Sequence, residues 1–284
     1  MSVTLRDLSF TYMKKTPYET KALDGVSLDI KVGEFVGIIG STGSGKSTLV
    51  QHFNGLIPLQ EGSLTVCGVD LSGKKPNYKE VRAKVGVVFQ YPEYQLFDET
   101  VRSDVAFGPK NMGLSDMDIN ERVEQSLTLV GIERKDWDKS PFELSGGQKR
   151  RVAIAGVIAM RPEMLILDEP TAGLDPAGKK DILNLVKKLQ KECSPTVVMI
   201  SHNMDEISDL ADKIVLMHGG KLLACLPPDE LFTSRELVEK AGLELPVSVS
   251  VINKLMQKGV TLDKITCRKS ELASLILAKR GEKC

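Results

Sequence analysis

Two glycine-rich stretches of the sequence have residue types that suit the binding of phosphate groups. The first, at 40–48, contains the pattern G-x-x-x-x-G-K-[ST], and the second reads Leu144-Ser-Gly-Gly-Gln148. In the first, glycines let several backbone N–H groups point at phosphate oxygens, Lys46 can reach the β- and γ-phosphates, and the Ser47 hydroxyl can bind Mg²⁺. One such loop is sufficient for one nucleotide, so the second stretch requires a separate explanation.

The context of the first stretch favours a phosphate-binding loop over a flexible Gly/Ser turn. It follows a short apolar run at 35–39 and precedes a helical pattern at 46–55, so the positive end of a helix dipole would face bound phosphates. A flexible turn would leave Lys46 at this spacing unexplained. The predicted nucleotide-binding residues of the loop are Gly40, Ser41, Thr42, Gly43, Ser44, Gly45, Lys46, Ser47 and Thr48.

Four polar residues that suit nucleotide hydrolysis follow short apolar runs. They are Gln90, Asp168, Glu169 and His202. Because open α/β sheets bind ligands at the carboxyl ends of their strands, we expect these side chains near the phosphate loop. Asp168 suits the acid associated with Mg²⁺, and Glu169 could face the water that attacks the γ-phosphate. On local grounds alone, the acids could also begin a surface loop, His202 could enter a helix beside Asn203, and Gln90 could be an ordinary strand end.

Alternating strand and helix signals predict an α/β fold with a mostly parallel core sheet. Nearly continuous apolar runs, typical of strands buried on both faces, lie at 35–39, 85–89, 164–167 and 196–200. An antiparallel β portion is expected at the start of the chain, from 3–10 and from the alternating apolar residues of 26–30. Helical patterns lie at 46–55, 118–130, 146–160, 176–191 and 203–211.

The pattern changes near residue 226, where Leu226-Pro-Pro228 interrupts the chain. Beyond it, short helices are predicted at 229–240, 248–258 and 270–279, which indicates a small appended domain over 226–284 after a main domain over 1–225.

The composition favours a packed globular chain and gives no support to a nucleic-acid partner. Lys+Arg and Asp+Glu number 38 each, and 42% of the residues are hydrophobic. The five cysteines are widely spaced and form no C-x-x-C pair, so reduced thiols are expected, with Cys284 the most exposed. No apolar run approaches the roughly 20 residues that span a bilayer.

Together these motifs resemble the ATP-binding cassette (ABC) ATPase family over about 1–225. The resemblance rests on the phosphate loop, Gln90, Leu144-Ser-Gly-Gly-Gln148, Leu167-Asp-Glu-Pro170 and the strand-end His202. It implies ATP and Mg²⁺ as ligands and a P-loop NTPase fold with a RecA-like parallel core. An antiparallel β subdomain, a helical signature subdomain at about 91–160 and a small C-terminal helical extension would complete that fold.

The resemblance also implies a role for individual residues. Glu169 is the implied general base, and Asp168, Ser47 and Gln90 the implied Mg²⁺ site. His202 resembles the switch histidine that contacts the γ-phosphate, and Thr171-Ala-Gly-Leu-Asp175 the loop joining two active sites. Tyr12 stands where the family places an aromatic residue that stacks on adenine, with the insert residue Tyr18 a weaker competitor.

Three further segments look like the ATPases of energy-coupling factor (ECF) transporters and their cobalt/nickel relatives. They are His52–Leu56, Gln90–Phe97 and Asp104–Pro109, and the form of the second resembles the second of two paired ATPases. The resemblance implies a peripheral subunit at the cytoplasmic face of the cell membrane that drives uptake of vitamins or metal ions. Its implied partners are a second ATPase, a paralogue or another copy, a transmembrane coupling protein and a separate membrane substrate-binding subunit.

Residues 91–97 form an aromatic and apolar cluster directly after Gln90, and we call them the docking segment. Exposed aromatic residues are enriched in protein interfaces, so we expect this segment to receive a helix of the coupling protein, with Tyr94 critical for assembly. Packing within the helical subdomain is the alternative. For Lys149, Arg150 and Arg151, solvated helix charges are favoured over a role at a dimer interface.

The second glycine stretch, which we call the signature, has two explanations. Ser145 and Gln148 have capping-box spacing, so Leu144, Ser145, Gly146, Gly147 and Gln148 could simply begin a helix. Two glycines in a first helical turn are unfavourable, however, and suit close approach to a phosphate. The family resemblance implies that each signature faces the ATP held by the other subunit of a dimer.

The competing function is an ABC ATPase not linked to transport. Chromosome-maintenance members of the family carry a long coiled coil between phosphate loop and signature, and translation factors carry two cassettes. This chain has one cassette and no sustained heptads between its two motifs. An iron–sulfur assembly scaffold would leave the C-terminal extension unexplained.

Overall fold

A computed structural model describes residues 1–193, 195–260, 262 and 264–281. Within these residues the strands are β1 (Val3–Tyr12), β2 (Thr20–Ile30), β3 (Phe35–Ile39), β4 (Glu61–Val66), β5 (Val69–Asp70), β6 (Val85–Val88), β7 (Met164–Asp168), β8 (Thr196–Ile200), β9 (Lys213–His218) and β10 (Lys221–Leu226). The α-helices are α1 (Lys46–Phe53), α2 (Tyr78–Lys84), α3 (Val101–Asn111), α4 (Asp116–Leu129), α5 (Gly146–Ile158), α6 (Pro176–Cys193), α7 (Met204–Leu210), α8 (Pro228–Thr233), α9 (Arg235–Ala241), α10 (Val247–Gln257) and α11 (Lys269–Gly281).

The predicted parallel core is confirmed as a six-stranded sheet in the order β10-β9-β3-β8-β7-β6. The strands from β9 to β6 pair in parallel, and β10 adds an antiparallel edge. All five residues of β3 and all five of β8 are buried, as expected for strands covered on both faces. Strands β9 and β10 were not predicted from the sequence. Five core strands therefore bring their carboxyl ends to one edge of the sheet.

The predicted antiparallel portion is a second sheet in the order β2-β1-β4-β5. Its inner face shares one apolar core with α1 and with the near face of the parallel sheet, through residues such as Leu5, Leu49 and Ile38. This packing fixes α1, and therefore the phosphate loop that precedes it, between the two sheets.

A helical unit formed by α3, α4 and α5 packs beside the parallel sheet. The helices predicted at 118–130 and 146–160 are present as α4 and α5, within two residues at each end. Helix α3 was missed because Gly108 and Pro109, both poor helix formers, occupy its last turn. Gly108 allows close packing, since a Cβ atom there would lie 2.7 Å from Cγ of Met160.

The C-terminal extension begins directly after β10, close to the predicted boundary. The single helix predicted at 229–240 is wrong: Ser234, with extended backbone angles, separates α8 from α9. Leu231, Phe232 and Val238 belong to the same apolar cluster as the parallel sheet, so the extension packs on the main core. The division of the chain into domains at residue 226 stays a prediction.

Within the described residues, no helix is both long and apolar enough to cross a bilayer. Cys67, Cys193, Cys225 and Cys267 carry free thiols, as predicted, and Cys284 lies outside the described residues.

Candidate nucleotide site

The phosphate loop joins β3 to α1 and uses glycine where no other residue fits. A Cβ atom on Gly40 would lie 2.1 Å from the carbonyl oxygen of Met217, and one on Gly45 would lie 2.5 Å from that of Ala22. Both glycines also have positive φ, 147° and 99°. Gly45 is the N-cap of α1, so the unpaired N–H groups of the first turn face the loop. This geometry suits the binding of an anion at the loop.

The Lys46 side chain is held in place by hydrogen bonds to its own phosphate loop. Its Nζ donates hydrogen bonds to the carbonyl oxygens of Gly40 at 2.8 Å and Ser41 at 2.9 Å. Burial lowers the pKa of the ammonium group, and the nearby charges of Glu169 and Asp168 oppose that effect. The cation is thus fixed beside the carboxylates at the sheet edge.

Asp168 ends β7 at this edge, as the apolar run predicts. The Ser47 hydroxyl, from α1, lies near this carboxylate of the sheet. Burial, and next the charge of Glu169, raise the pKa of Asp168, while Ser47 and Lys46 oppose the rise. A hydroxyl and a carboxylate close to each other are oxygen donors of the type that Mg²⁺ prefers, so the residues fit this ion.

Glu169, His202 and Gln90 converge although they follow three different strands. Nε2 of His202 lies 2.8 Å from Oε1 of Glu169, and Nε2 of Gln90 donates a long hydrogen bond of 3.4 Å to Oε2. Glu169 has φ of 49°, a conformation rare for a non-glycine residue, and its N–H donates to the carbonyl of Ile200 at 3.0 Å. Backbone strain of this kind is concentrated at functional sites.

Glu206 is a buried carboxylate, and its spacing from Asn203 predicts only a capping box. It is 5% exposed and accepts hydrogen bonds from the hydroxyls of Thr171 at 2.8 Å and Ser201 at 3.0 Å. Asn203 caps α7 through the N–H groups of Asp205 and Glu206, but the Glu206 carboxylate does not complete a capping box. It instead joins the loop after Glu169 to the segment before His202.

Tyr12 ends β1 beside the phosphate loop. Its hydroxyl lies 3.2 Å from Oγ1 of Thr48, its ring packs edge-on against Phe10, and it is 39% exposed. Part of an aromatic side chain is therefore accessible near α1. Tyr18 is 77% exposed and lies in the turn region between β1 and β2.

We predict that Tyr12→Ala weakens ATP binding and that Tyr18→Ala does not. Loss of a base-stacking ring costs on the order of 1–3 kcal/mol, roughly a 5- to 150-fold rise in Kd. Equilibrium binding of a fluorescent ATP analogue to each full-length variant measures the difference. Equal effects of the two substitutions would remove Tyr12 from the site.

The signature begins α5 with a complete capping box. The Ser145 hydroxyl accepts a hydrogen bond from the N–H of Gln148 at 3.3 Å, and the Gln148 side chain accepts from the Ser145 N–H at 3.0 Å. The helix-start explanation is therefore right for these two residues. It does not explain the glycines, because a Cβ atom on Gly146 or Gly147 would meet nothing within 4 Å. Leu144 is buried and anchors the signature to the core.

Asp175 lies just before α6, at the end of the loop that follows Glu169. Its side chain accepts a hydrogen bond from the N–H of Gly178 at 2.8 Å, and its carbonyl accepts one from Lys179 at 2.9 Å. It therefore caps α6. We call residues 170–175, which are Pro170 and the predicted loop at 171–175, the inter-site loop.

The expectation of solvated charges at 149–151 is wrong for Arg150. This side chain is 2% exposed and forms a bidentate ion pair with Glu93 of the docking segment. Arg150 points inward because it lies among the buried positions of α5, whereas Lys149 lies over the Phe142 ring at 5.7 Å.

A groove of about 900 Å³ lies between the docking segment, α2, α3 and α5. Leu96 and Phe97 line it, and the Phe97 ring packs edge-on against Phe107 at 5.0 Å. Of the docking segment, Tyr91, Tyr94 and Phe97 are exposed, while Leu96 is buried. Tyr94 is not among the residues lining the groove, which makes Phe97 a better position for testing its use.

Comparison with known proteins gives a consistent result. The family model described as ABC transporter matches residues 23–172. A protein of Clostridium acetobutylicum named energy-coupling factor transporter ATP-binding protein EcfA2 is 51% identical, covering 93% of both chains. The protein of the same name from Enterococcus faecalis is 42% identical and covers 99% of this chain and 98% of its own.

Two solved structures share the fold. The structure of cbiO1 from Clostridium perfringens, described as part of the ABC transporter complex cbiONQ, superposes with a TM-score of 0.75 at 39% identity and covers 90% of this chain and 98% of its own. A dimeric ATP-binding cassette in a post-hydrolysis state, bound to ADP and phosphate, has a TM-score of 0.70 at 30% identity and covers 80% and 98%.

Proposed function

The chain belongs to the ABC transporter family, among the energy-coupling factor transporter ATP-binding proteins, and from this premise we propose how its residues use ATP. It is an ATPase whose hydrolysis of ATP is coupled to transport. The relatives favour this function over a DNA-, ribosome- or assembly-linked ATPase. The observation that carries the assignment of residues is the convergence of Glu169, His202 and Gln90 on one another at the sheet edge.

ATP is held by the loop at 40–48, with adenine stacked on Tyr12. The N–H groups of the loop and the Lys46 ammonium neutralise the phosphate charge. Mg²⁺, held by Ser47 and Asp168 and approached by Gln90, would polarise the phosphate oxygens. Ser47 and Asp168 supply a hydroxyl and a carboxylate oxygen, the donor types that would hold this ion.

Glu169 accepts the proton of the attacking water. The His202 ring, already 2.8 Å from Glu169, orients this carboxylate and turns its edge to the γ-phosphate. Gln90, which follows the neighbouring strand β6, donates a hydrogen bond to the same carboxylate. Because the docking segment begins at the next residue, Gln90 connects that segment to the site. The three side chains follow three different strands of the parallel sheet, and His202 and Gln90 both contact Glu169.

The signature acts on ATP held by a second ATPase subunit, a paralogue or another copy. Ser145, Gly146 and Gly147 present a hydroxyl and unobstructed backbone to a partner, and no crowding within the chain requires glycine there. Asp175 and its loop join the two sites. ATP, with its γ-phosphate, favours the closed dimer and ADP does not, so hydrolysis opens it.

The remaining partners are a transmembrane coupling protein and a separate membrane substrate-binding subunit, which together import vitamins or metal ions. The ATPase would lie at the cytoplasmic face of the membrane as a peripheral subunit. The docking groove supports this arrangement, because its apolar floor and exposed Phe97 suit the apolar face of a short helix.

We predict that Phe97→Glu prevents assembly with the membrane subunits and leaves ATP binding intact. A carboxylate in an apolar interface costs several kcal/mol when unpaired, on the order of a 100-fold loss of affinity or more. Phe97 is 60% exposed, so the free chain should fold. Co-purification with the detergent-solubilised membrane subunits of its transporter measures the effect.

Tyr18→Glu is the matched control, because it introduces the same charge at an exposed aromatic position away from the groove. It should co-purify like the unmodified chain. Normal assembly of Phe97→Glu would show that the groove does not receive the membrane partner.

A further inference from the structure

Arg150 connects three parts of the molecule through one side chain. It lies in the second turn of α5, the helix that carries the signature. Its Nε and Nη2 donate to the two carboxylate oxygens of Glu93 at 3.0 and 2.7 Å. Its Nη1 donates to the carbonyl oxygens of Pro170 at 3.0 Å and Ala172 at 2.8 Å. The signature helix, the docking segment and the inter-site loop therefore share one guanidinium group.

Burial of the Arg150 guanidinium restrains the three segments that it contacts. A guanidinium that is 2% exposed must have its charge and its N–H groups satisfied by protein, and the four contacts do so. Burial raises the pKa of Glu93, but its hydrogen bonds to Arg150 and to the backbone, with the charge of Arg150, outweigh that effect, so the pKa lies below its ordinary value. The carboxylate stays charged, and neither partner can move away alone without leaving a buried charge unpaired.

A second contact joins the docking segment to the inter-site loop independently of Arg150. Gly173 has φ of 74°, and a Cβ atom there would lie 3.1 Å from Cε1 of Tyr91. The Tyr91 ring therefore packs directly on the loop backbone. Tyr91 itself has positive φ, 54°, a conformation rare for a non-glycine residue.

The inter-site loop sets the position of Glu169, because the two are adjacent and hydrogen-bonded. The N–H of Ala172 donates to the carbonyl of Glu169 at 3.1 Å, and the carbonyl of the same Ala172 accepts from Arg150. Glu169 occupies a strained conformation that its surroundings must maintain. A displacement of Glu93 would therefore move Arg150, then the Ala172 carbonyl that Arg150 contacts, and then Glu169.

We propose that Arg150 is a positioning residue that transmits movement of the docking segment to the inter-site loop and so to Glu169. The proposal rests on the proposed function, in which a membrane partner occupies the groove beside the docking segment. The partner moves Glu93, Arg150 follows it, and the loop carbonyls of Pro170 and Ala172 follow Arg150. Docking is thereby coupled to the rate of hydrolysis without any contact between partner and nucleotide.

The test compares ATP hydrolysis by the ATPase pair alone with hydrolysis by the complete membrane complex. In the double variant Glu93→Gln/Arg150→Gln, two neutral amides replace the buried ion pair, so no unpaired charge remains. We expect its thermal unfolding temperature and its KM for ATP to stay close to the unmodified values. The stimulation of kcat by the membrane subunits should fall by about 10- to 100-fold, the scale of a misplaced catalytic group.

The control is Glu121→Gln/Arg161→Gln, which neutralises an exposed ion pair on the same helical unit. It should retain stimulation within about twofold. If the buried double variant does not fold, Arg150→Lys keeps the charge beside Glu93 but cannot also span both loop carbonyls, and it should lose stimulation in the same way.

The outcomes separate this inference from the proposed function. Stimulation of the variants equal to that of the unmodified complex would overturn the role of Arg150 and leave docking intact. Loss of activity that simply follows the folded fraction, equal in the free pair and the complex, would reduce Arg150 to a structural residue. Failure of the unmodified chain to assemble or to be stimulated would instead contradict the proposed function.

Discussion

Glu169→Gln is expected to slow ATP hydrolysis by about 10²–10⁴-fold, the usual scale for loss of a general base, while ATP binding persists. Glutamine keeps the shape of the side chain and can still pair with His202 and Gln90, so the site geometry should survive. It cannot accept the proton of the attacking water. Bound ATP should therefore accumulate, and the dimer should remain closed. Single-turnover hydrolysis and ATP retention on gel filtration measure the two effects.

Glu163→Gln is the matched control for this prediction. Glu163 directly precedes β7, so the same chemical change is made at the opposite end of the strand that leads to Asp168. Its side chain is exposed, and hydrolysis should change by less than about twofold. A Glu169→Gln variant that hydrolyses ATP at the unmodified rate would exclude Glu169 as the base.

Ser145→Arg is expected to abolish ATP-dependent dimer closure while the same chain still binds ATP. The phosphate loop that holds this ATP is complete without the signature, so the chain's own affinity should change little. Arginine would fill the space that the two following glycines leave open to a partner. Loss of the helix cap costs about 1 kcal/mol, too little to unfold a typical domain. Light scattering in the Glu169→Gln background, where ATP is retained, reports dimer formation.

Ser115→Arg separates the loss of a cap from the loss of a partner contact. Ser115 is an exposed N-cap serine on α4 that accepts a hydrogen bond from Asp118, just as Ser145 does from Gln148 on α5. This variant should lose similar stability and form ATP-dependent dimers normally. If Ser145→Arg loses its own ATP binding outright, the signature acts within the chain and not on a partner's nucleotide.

The sequence predicts the site residues whose positions depend only on a few consecutive residues. A buried parallel strand needs a continuous apolar run, and the residue that follows it must lie at the sheet edge, so Asp168 and His202 could be placed in advance. The phosphate loop was predictable for a related reason, since its glycines, Lys46 and the following helix are consecutive. Four of the five parallel strands follow from the same local information, whereas β9 was not predicted.

The roles of Arg150 and Glu206 were not predictable because each has a partner that lies far away in sequence. Glu93 is 57 residues from Arg150, and Thr171 is 35 residues from Glu206. From the sequence alone, Arg150 resembles a solvated helix charge. Only the folded structure shows that the Glu93 carboxylate and two backbone carbonyls surround it. The break between α8 and α9 was missed for a similar reason, since only tertiary packing, and no Gly or Pro, ends the helix there.

Because the space around Gly146 and Gly147 is open, substitutions there that raise the stability of the subunit would lower its ATPase activity in the dimer. In the isolated chain, alanine fits at both positions and favours a helix by up to about 1 kcal/mol over glycine. A directed-evolution screen that rewards heat resistance of the single subunit would therefore enrich these alanines. Each would place a methyl group where another subunit's nucleotide must approach. Stability screens on such a chain consequently need the assembled dimer, and not the monomer, as the selected species.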